Sequence, residues 1–172
     1  MHHAGGGVGS STHIAGELFK AKAGVKIVRI AYRGGGPAIA GLLGAEAQLM
    51  FAPAASAIPH IKSGRVRALA VTSAQPSPLL PDLPTIAVAA GMPGYDAVTR
   101  VGMFAPAKTP EPVIKRLNQE IVKVLNQPDV KEKLFNSGIE TVGSSPEQLL
   151  ATVKSEMVTL GKLIKDAGIR VD

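Results

Sequence analysis

In the first half of the chain, apolar residues fall in short β-branched runs separated by stretches with helical spacing. VKIVRIAY (Val25 to Tyr32), AQLMFAP (Ala47 to Pro53) and VRALAVT (Val66 to Thr72) read as strands. Thr12 to Ala23, Pro37 to Leu43 and Ala54 to Lys62 read as helices, with Ile14, Leu18 and Phe19 on one face of the first. Gly24, Gly44 and Gly64 stand where these helices should stop, because glycine accepts the left-handed conformation that closes a helix. Strand–helix–strand alternation predicts a parallel sheet joined by right-handed crossovers.

The pattern breaks between Gln75 and Gly94, where QPSPLLPDLPT places four prolines in eleven residues. A short helix is predicted over Thr85 to Ala90, ended by Gly91, and a strand over Ala97 to Ala105. The last third is helical. Thr109 is the expected cap of a helix with Pro110 at its first position and an apolar stripe of Val113, Leu117, Ile121 and Val124. Pro128 opens a second short helix that Gly138 ends, and Glu140 to Val142 reads as a short strand. Ser145 caps a long helix with Leu149, Val153, Met157, Leu160 and Ile164 on its apolar face, ended by Gly168.

Composition narrows the partners more than the fold. At 172 residues, 45% apolar and 19% charged, the chain can form one full domain or two small ones. Aromatic residues make up 3% and tryptophan is absent, so the core must be built of small aliphatic side chains. The net charge of +6 suits an acidic ligand. The basic residues are scattered in pairs such as Arg65/Arg67 and Lys131/Lys133, without a basic tail or interleaved aromatics, so no nucleic-acid partner is expected. There is no cysteine, which excludes disulfides, thiolate metal sites and cysteine nucleophiles. No apolar run has the length of a membrane span, and no stable membrane insertion is expected.

The candidate chemistry lies at three strand-to-helix junctions: Ser10, Ser11, Thr12 and His13 after a glycine-rich turn; Gly34, Gly35 and Gly36; and Ala52, Ala54 and Ala55. In an open parallel sheet such junctions lie at the carboxyl edge, where ligands bind. Each opens a helix, whose first backbone N–H groups and positive dipole end point outward. Three such ends on one crevice make an anion site that needs no buried lysine. Each residue also has a plainer reading. Gly34 to Gly36 can be a tight turn, Ser10 or Ser11 can cap a helix, His13 can be a packed histidine, and Arg33 can be a solvated charge.

Enzyme motifs are missing. GGGVGSS lacks the lysine of a phosphate-binding P-loop, and GxSxG is absent. Ser11 and His13 have no obvious third triad member, and no pair of histidines has HxxxH or HExxH spacing. No catalytic residue, metal or cofactor is therefore assigned. A nucleotide- or phosphate-binding α/β enzyme domain stands as the alternative to a binding module.

Longer segments carry a family resemblance. GVGSSTHIAGELFKAKAGV, AYRGGGPAIAGLLG, PHIKSGRVRALAVTSAQPSPLLPDLPTIAVA and GMFAPAKTPEPVIKRLN, in this order, resemble the Bug/TctC-type receptors, periplasmic solute-binding proteins of tripartite tricarboxylate transporters. The resemblance implies a two-lobed α/β fold that closes on a small organic carboxylate. It implies a periplasmic location and membrane transporter subunits as partners, and ligand contacts at Ser10 to His13, Gly34 to Gly36 and around Ala52 to Ala55. Such receptors begin with a signal peptide and part of a first lobe. On that pattern residues 1–100 correspond to the second, ligand-binding lobe, with a parallel-rich sheet flanked by helices. Residues 101–172 correspond to the C-terminal elements of an incomplete first lobe. The chain is then expected to be a truncated form, with the apolar faces of the Ala97 strand and the last helix left exposed.

Overall fold

A computed structural model describes residues 1–166 and 169. They divide into two compact units, Met1–Thr99 with the described residues from Leu160 onward, and Arg100–Thr159. Gly168, the expected end of the last helix, lies outside the described residues.

The first unit is built on a three-stranded parallel sheet of order β2-β1-β3, with β1 at His2–Gly5, β2 at Val28–Ala31 and β3 at Leu49–Met50. Register pairs Ala4 with Ile30 on one side and with Met50 on the other. The helices that follow the strands are α1 (Ser11–Ala23), α2 (Gly35–Leu43) and α3 (Ala54–Lys62). Gly24 caps α1 in the left-handed conformation at φ 63°, whereas Gly44 closes α2 at φ −83° and needs no glycine on backbone grounds. Two small clusters form the core. Ala4, Ala38 and Ala47 pack β1 against α2 with Ile30, Tyr32 and Met50 around them, and Ala15, Phe51, Ile86 and Tyr95 pack beneath α1 with Phe19. Tyr95 is buried and its hydroxyl donates to the Ala15 carbonyl at 2.9 Å.

The Val66–Thr72 strand does not form. Only Val71 bridges, in parallel, to Thr85, the cap of the short helix α4 (Ile86–Ala89). A strand requires a ladder of backbone partners; here the Val66 amide bonds back to the His60 carbonyl at 3.2 Å, a turn rather than a ladder, and only Val71 and Thr72 bond onward, to Pro84, Ile86 and Ala97. β2 and β3 are likewise shorter than their apolar runs, because pairing with the four-residue β1 limits them.

In the second unit, α5 (Glu111–Leu125) and α6 (Pro128–Asn136) follow the predicted pattern, and α7 (Pro146–Asp166) begins there. The α5 cap is Pro110, one residue later than predicted, with the Val113 and Ile114 amides on its carbonyl. Ser145 caps α7 reciprocally: the Gln148 amide donates to its hydroxyl at 3.2 Å, and its own amide donates to Gln148 Oε1 at 2.9 Å. Neither the 97–105 nor the 140–142 strand appears; Ala97 makes a single backbone bond, its amide donating to the Thr72 carbonyl at 2.9 Å. The predicted α7 face is only partly covered. Leu149, Val153 and Leu160 are half-buried, Met157 and Ile164 are exposed, and the buried residue is Leu163. Val101, Met103 and Phe104 are also exposed, at 89%, 71% and 78%.

Candidate functional site

Because the three strands are parallel and adjacent, the segments leaving their carboxyl ends emerge along one sheet edge. The junctions before α1, α2 and α3 therefore share that edge, and each is closed by different local chemistry.

Before α1, Ser10 is the N-cap, and its hydroxyl accepts from the His13 amide at 3.3 Å. A second set of bonds folds the glycine-rich turn back onto the helix. The Gly6 amide donates to Thr12 Oγ1 at 2.7 Å and the Gly9 amide to His13 Nδ1 at 3.0 Å. Arg29 reaches across from β2, and its Nη1 donates to the Gly6 carbonyl at 2.6 Å. Thr12 and His13 are buried, Ser10 is half-buried and Ser11 exposed.

Before α2, Gly34 is the N-cap at φ 111°, ψ 179°, a conformation essentially reserved for glycine. It lets the chain pass from β2 into a helix across only Tyr32, Arg33 and Gly34 itself. Gly35 and Gly36, expected in the turn, are the first two helical residues. Before α3, Pro53 is the N-cap, and the Ser56 and Ala57 amides bond its carbonyl. Ala52 is half-buried at the strand exit, with Ala54 half-buried and Ala55 exposed in the first turn.

The geometry leaves a repeated feature. At each helix the first two amides are ahead of the helical bonding pattern: Ser11 and Thr12, Gly35 and Gly36, Ala54 and Ala55. Among the described residues none of these six donates to another protein group, whereas the third position is a bonded amide in α1 and α3 and a proline in α2. Pairs of adjacent N–H groups at the positive end of a helix dipole suit the oxygens of an anion. His13 is placed differently from Ser11: its amide serves the cap and its ring the loop, so its contribution is internal. Burial lowers the His13 pKa below the usual histidine range; Arg29 and Lys20 push the same way, and Glu17 opposes them. Arg29 was not singled out in the sequence. The available signal was a charged residue inside an apolar β-branched run. Arg33 is exposed. Among the described residues no cluster of histidine and carboxylate side chains could hold a metal ion, and no helix is long and apolar enough to cross a membrane.

Comparison with known proteins agrees with this architecture. The family model described as "Tripartite tricarboxylate transporter family receptor" matches residues 1–169. The UPF0065 protein in the tcbD-tcbE intergenic region of Pseudomonas sp. (strain P51) is 44% identical over 164 residues, covering 95% of this chain and 49% of that protein. The UPF0065 protein in the clcB-clcD intergenic region of Pseudomonas knackmussii is 37% identical over 158 residues, covering 92% of this chain and 94% of that one. Among solved structures, R. palustris Rpa4515 with adipate superposes at TM-score 0.85 with 33% identity, over 98% of this chain and 56% of that chain. The periplasmic binding protein BugD superposes at 0.77 with 32% identity, over 99% and 57%. The chain thus spans about half the length of the first of these relatives and of both solved structures, and nearly the whole of the second relative.

Proposed function

We propose that this chain, which belongs to the tripartite tricarboxylate transporter receptor family, supplies the carboxylate-gripping lobe of an extracytoplasmic solute receptor. Its ligands are small organic carboxylates, and it delivers them in the periplasm to the membrane subunits of a tripartite transporter. Residues 1–100 act as the binding lobe, and residues 101–172 as C-terminal elements of the other lobe. The observation that carries this reading is the set of six unengaged first-turn amides at Ser11, Thr12, Gly35, Gly36, Ala54 and Ala55, in pairs along one sheet edge. The Ser10 and Ser11 hydroxyls and the backbone at Gly34 and Ala52 border the same edge; Thr12 and His13 side chains support it from within. The adipate held by Rpa4515 supports the ligand class. Backbone amides at helix ends recognise carboxylate oxygens without a charged side chain and so tolerate several acids.

One lobe alone cannot enclose its ligand, so the 172-residue chain is expected to bind at the millimolar level, near −4 kcal/mol. An amide-resolved NMR titration tests the assignment. Adipate, at ionic strength matched with chloride, should shift the six amides together. ADP or inorganic phosphate moving them while adipate does not would favour the nucleotide-binding alternative. Stationary amides with all three would remove the site.

A further inference from the structure

The glycine-rich turn is held by more than its own backbone. Its first residue is gripped twice, by Thr12 Oγ1 on the amide and Arg29 Nη1 on the carbonyl, at 2.7 and 2.6 Å. Near its end the Gly9 amide donates to His13 Nδ1 at 3.0 Å, and the Ser10 amide closes a turn onto the Gly7 carbonyl at 3.1 Å. Without these ties, a loop with three glycines in its five residues, Gly6–Ser10, would sample many conformations. We propose that His13 and Arg29 are positioning residues for the Gly6–Ser10 loop, with His13 a hydrogen-bond acceptor that releases the loop when it is protonated.

The acceptor role fixes the histidine's state. An imidazole that receives an N–H at Nδ1 has no proton there, so its proton is on Nε2, which faces Glu17 Oε1 at 3.6 Å. Protonation would set an Nδ1–H against the Gly9 N–H, donor against donor. The charged surroundings resist it. Glu17 is the nearby carboxylate, but Lys20 from the same helix already binds both its oxygens at 2.8 Å. From β2, the Arg29 guanidinium adds positive charge. From β1, the titratable group beneath the helix is His3, whose ring lies under Gly16. The His13 side chain is itself only 7% exposed. Release therefore belongs to mild acid, below the usual histidine range. The loop leads directly into the Ser11 and Thr12 amides, so its release disorders one of the three anion-gripping ends; this last link rests on the carboxylate reading above.

Two variants separate the roles. His13→Asn keeps an acceptor oxygen near the Nδ1 position and cannot titrate; His13→Leu has no acceptor. In the free protein, the Gly9 amide resonance should move with pH at the same midpoint as the His13 ring. It should be pH-independent in His13→Asn and displaced at every pH in His13→Leu. Arg29→Lys should lose the bond to Gly6 and broaden the Gly6–Ser10 amides without changing the His13 midpoint by more than the removal of one nearby guanidinium explains. A Gly9 resonance that ignores the His13 titration, or that is the same in the Asn and Leu variants, overturns the proposal. Adipate is the probe for the ligand arm: apparent affinity should fall about tenfold in His13→Leu and stay near wild type in His13→Asn, whatever the ligand's own carboxyl titration, which both variants share. Equal weakening in both variants would also overturn it. If adipate binds neither wild type nor variant while Gly9 tracks His13, the receptor reading fails and the positioning role stands.

Discussion

The imidazole of His3 in β1 lies against the backbone of Gly16 in α1, so closely that a Cβ on Gly16 would sit 2.6 Å from Cε1 and 2.9 Å from Nε2. Carbon contacts normally settle at 3.5–4.0 Å, and His3 is fully buried with its ring edge-on to Phe51 at 5.8 Å. The ring has nowhere to retreat. Gly16→Ala gains up to about 1 kcal/mol of helix propensity but incurs an overpacking cost of about 1–3 kcal/mol. Urea unfolding should show net destabilisation of up to about 2 kcal/mol once the full propensity gain is subtracted. Adding His3→Ala should make the alanine at 16 neutral or favourable; additive effects of the two changes would contradict the contact.

Both ring nitrogens of His3 are buried without a hydrogen-bond partner among the described residues. Burial lowers its pKa, as it does for His13, so both are neutral in the fold where the unfolded chain titrates near 6.5. Above that value neither state binds the proton and stability is full. As pH falls through 6.5 the unfolded state takes up protons that the folded state refuses, and stability drops until the lowered folded values are reached. Glu147, held low by the Ser145 hydroxyl, titrates below this window. The urea midpoint should fall between pH 7.5 and pH 5, and His3→Leu should flatten the dependence while raising stability by about 1 kcal/mol. A midpoint constant across the window would refute this.

Ala54→Pro removes one proposed donor without removing the helix. Proline is well tolerated at the first helical position, and Pro53 before it already has the extended ψ of 137° that a following proline requires. The fold should persist by circular dichroism, while adipate affinity falls about tenfold, the loss of one charge-assisted bond. Unchanged affinity would take α3 out of the site.

Val101, Met103 and Phe104 are crowded into one short exposed segment of the second unit, and Met157 and Val158 are exposed at 69% and 76% on α7. Surfaces of this kind promote association. Sedimentation should be concentration-dependent, and Met103→Ser with Phe104→Ser should make it less so. A monomer at all concentrations in both proteins would remove the prediction.

Tyr95 bonds Ala15 across 80 residues of sequence. Tyr95→Phe retains the ring packing against Phe19, at 6.4 Å between centroids, and should cost about 1 kcal/mol in urea unfolding. A loss several times larger would indicate that the hydroxyl secures more than one helix carbonyl.

Helix starts were the most legible part of the chain, because they rest on neighbours in sequence. Ser10, Thr85 and Ser145 cap helices through bonds that span three residues. Strands were legible only where a partner exists. VRALAVT has the composition of a strand and forms one bridge, whereas the unpromising His2–Gly5, with two histidines and a glycine, is the central strand of the sheet. Composition reports that a segment can be extended; it cannot report whether a ladder is offered to it.

The same division runs through the site. Glycine, serine and proline at the three junctions determined that helices would begin there and leave amides unengaged, since helix geometry exhausts its own acceptors at that end. That the three ends share an edge followed from parallel pairing. That Arg29 reaches Gly6, and that His13 serves a loop four residues behind it, was decided only in three dimensions. A side chain's partner depends on burial and on which residues from distant parts of the chain the fold brings within 3 Å, and neither quantity is written in local sequence.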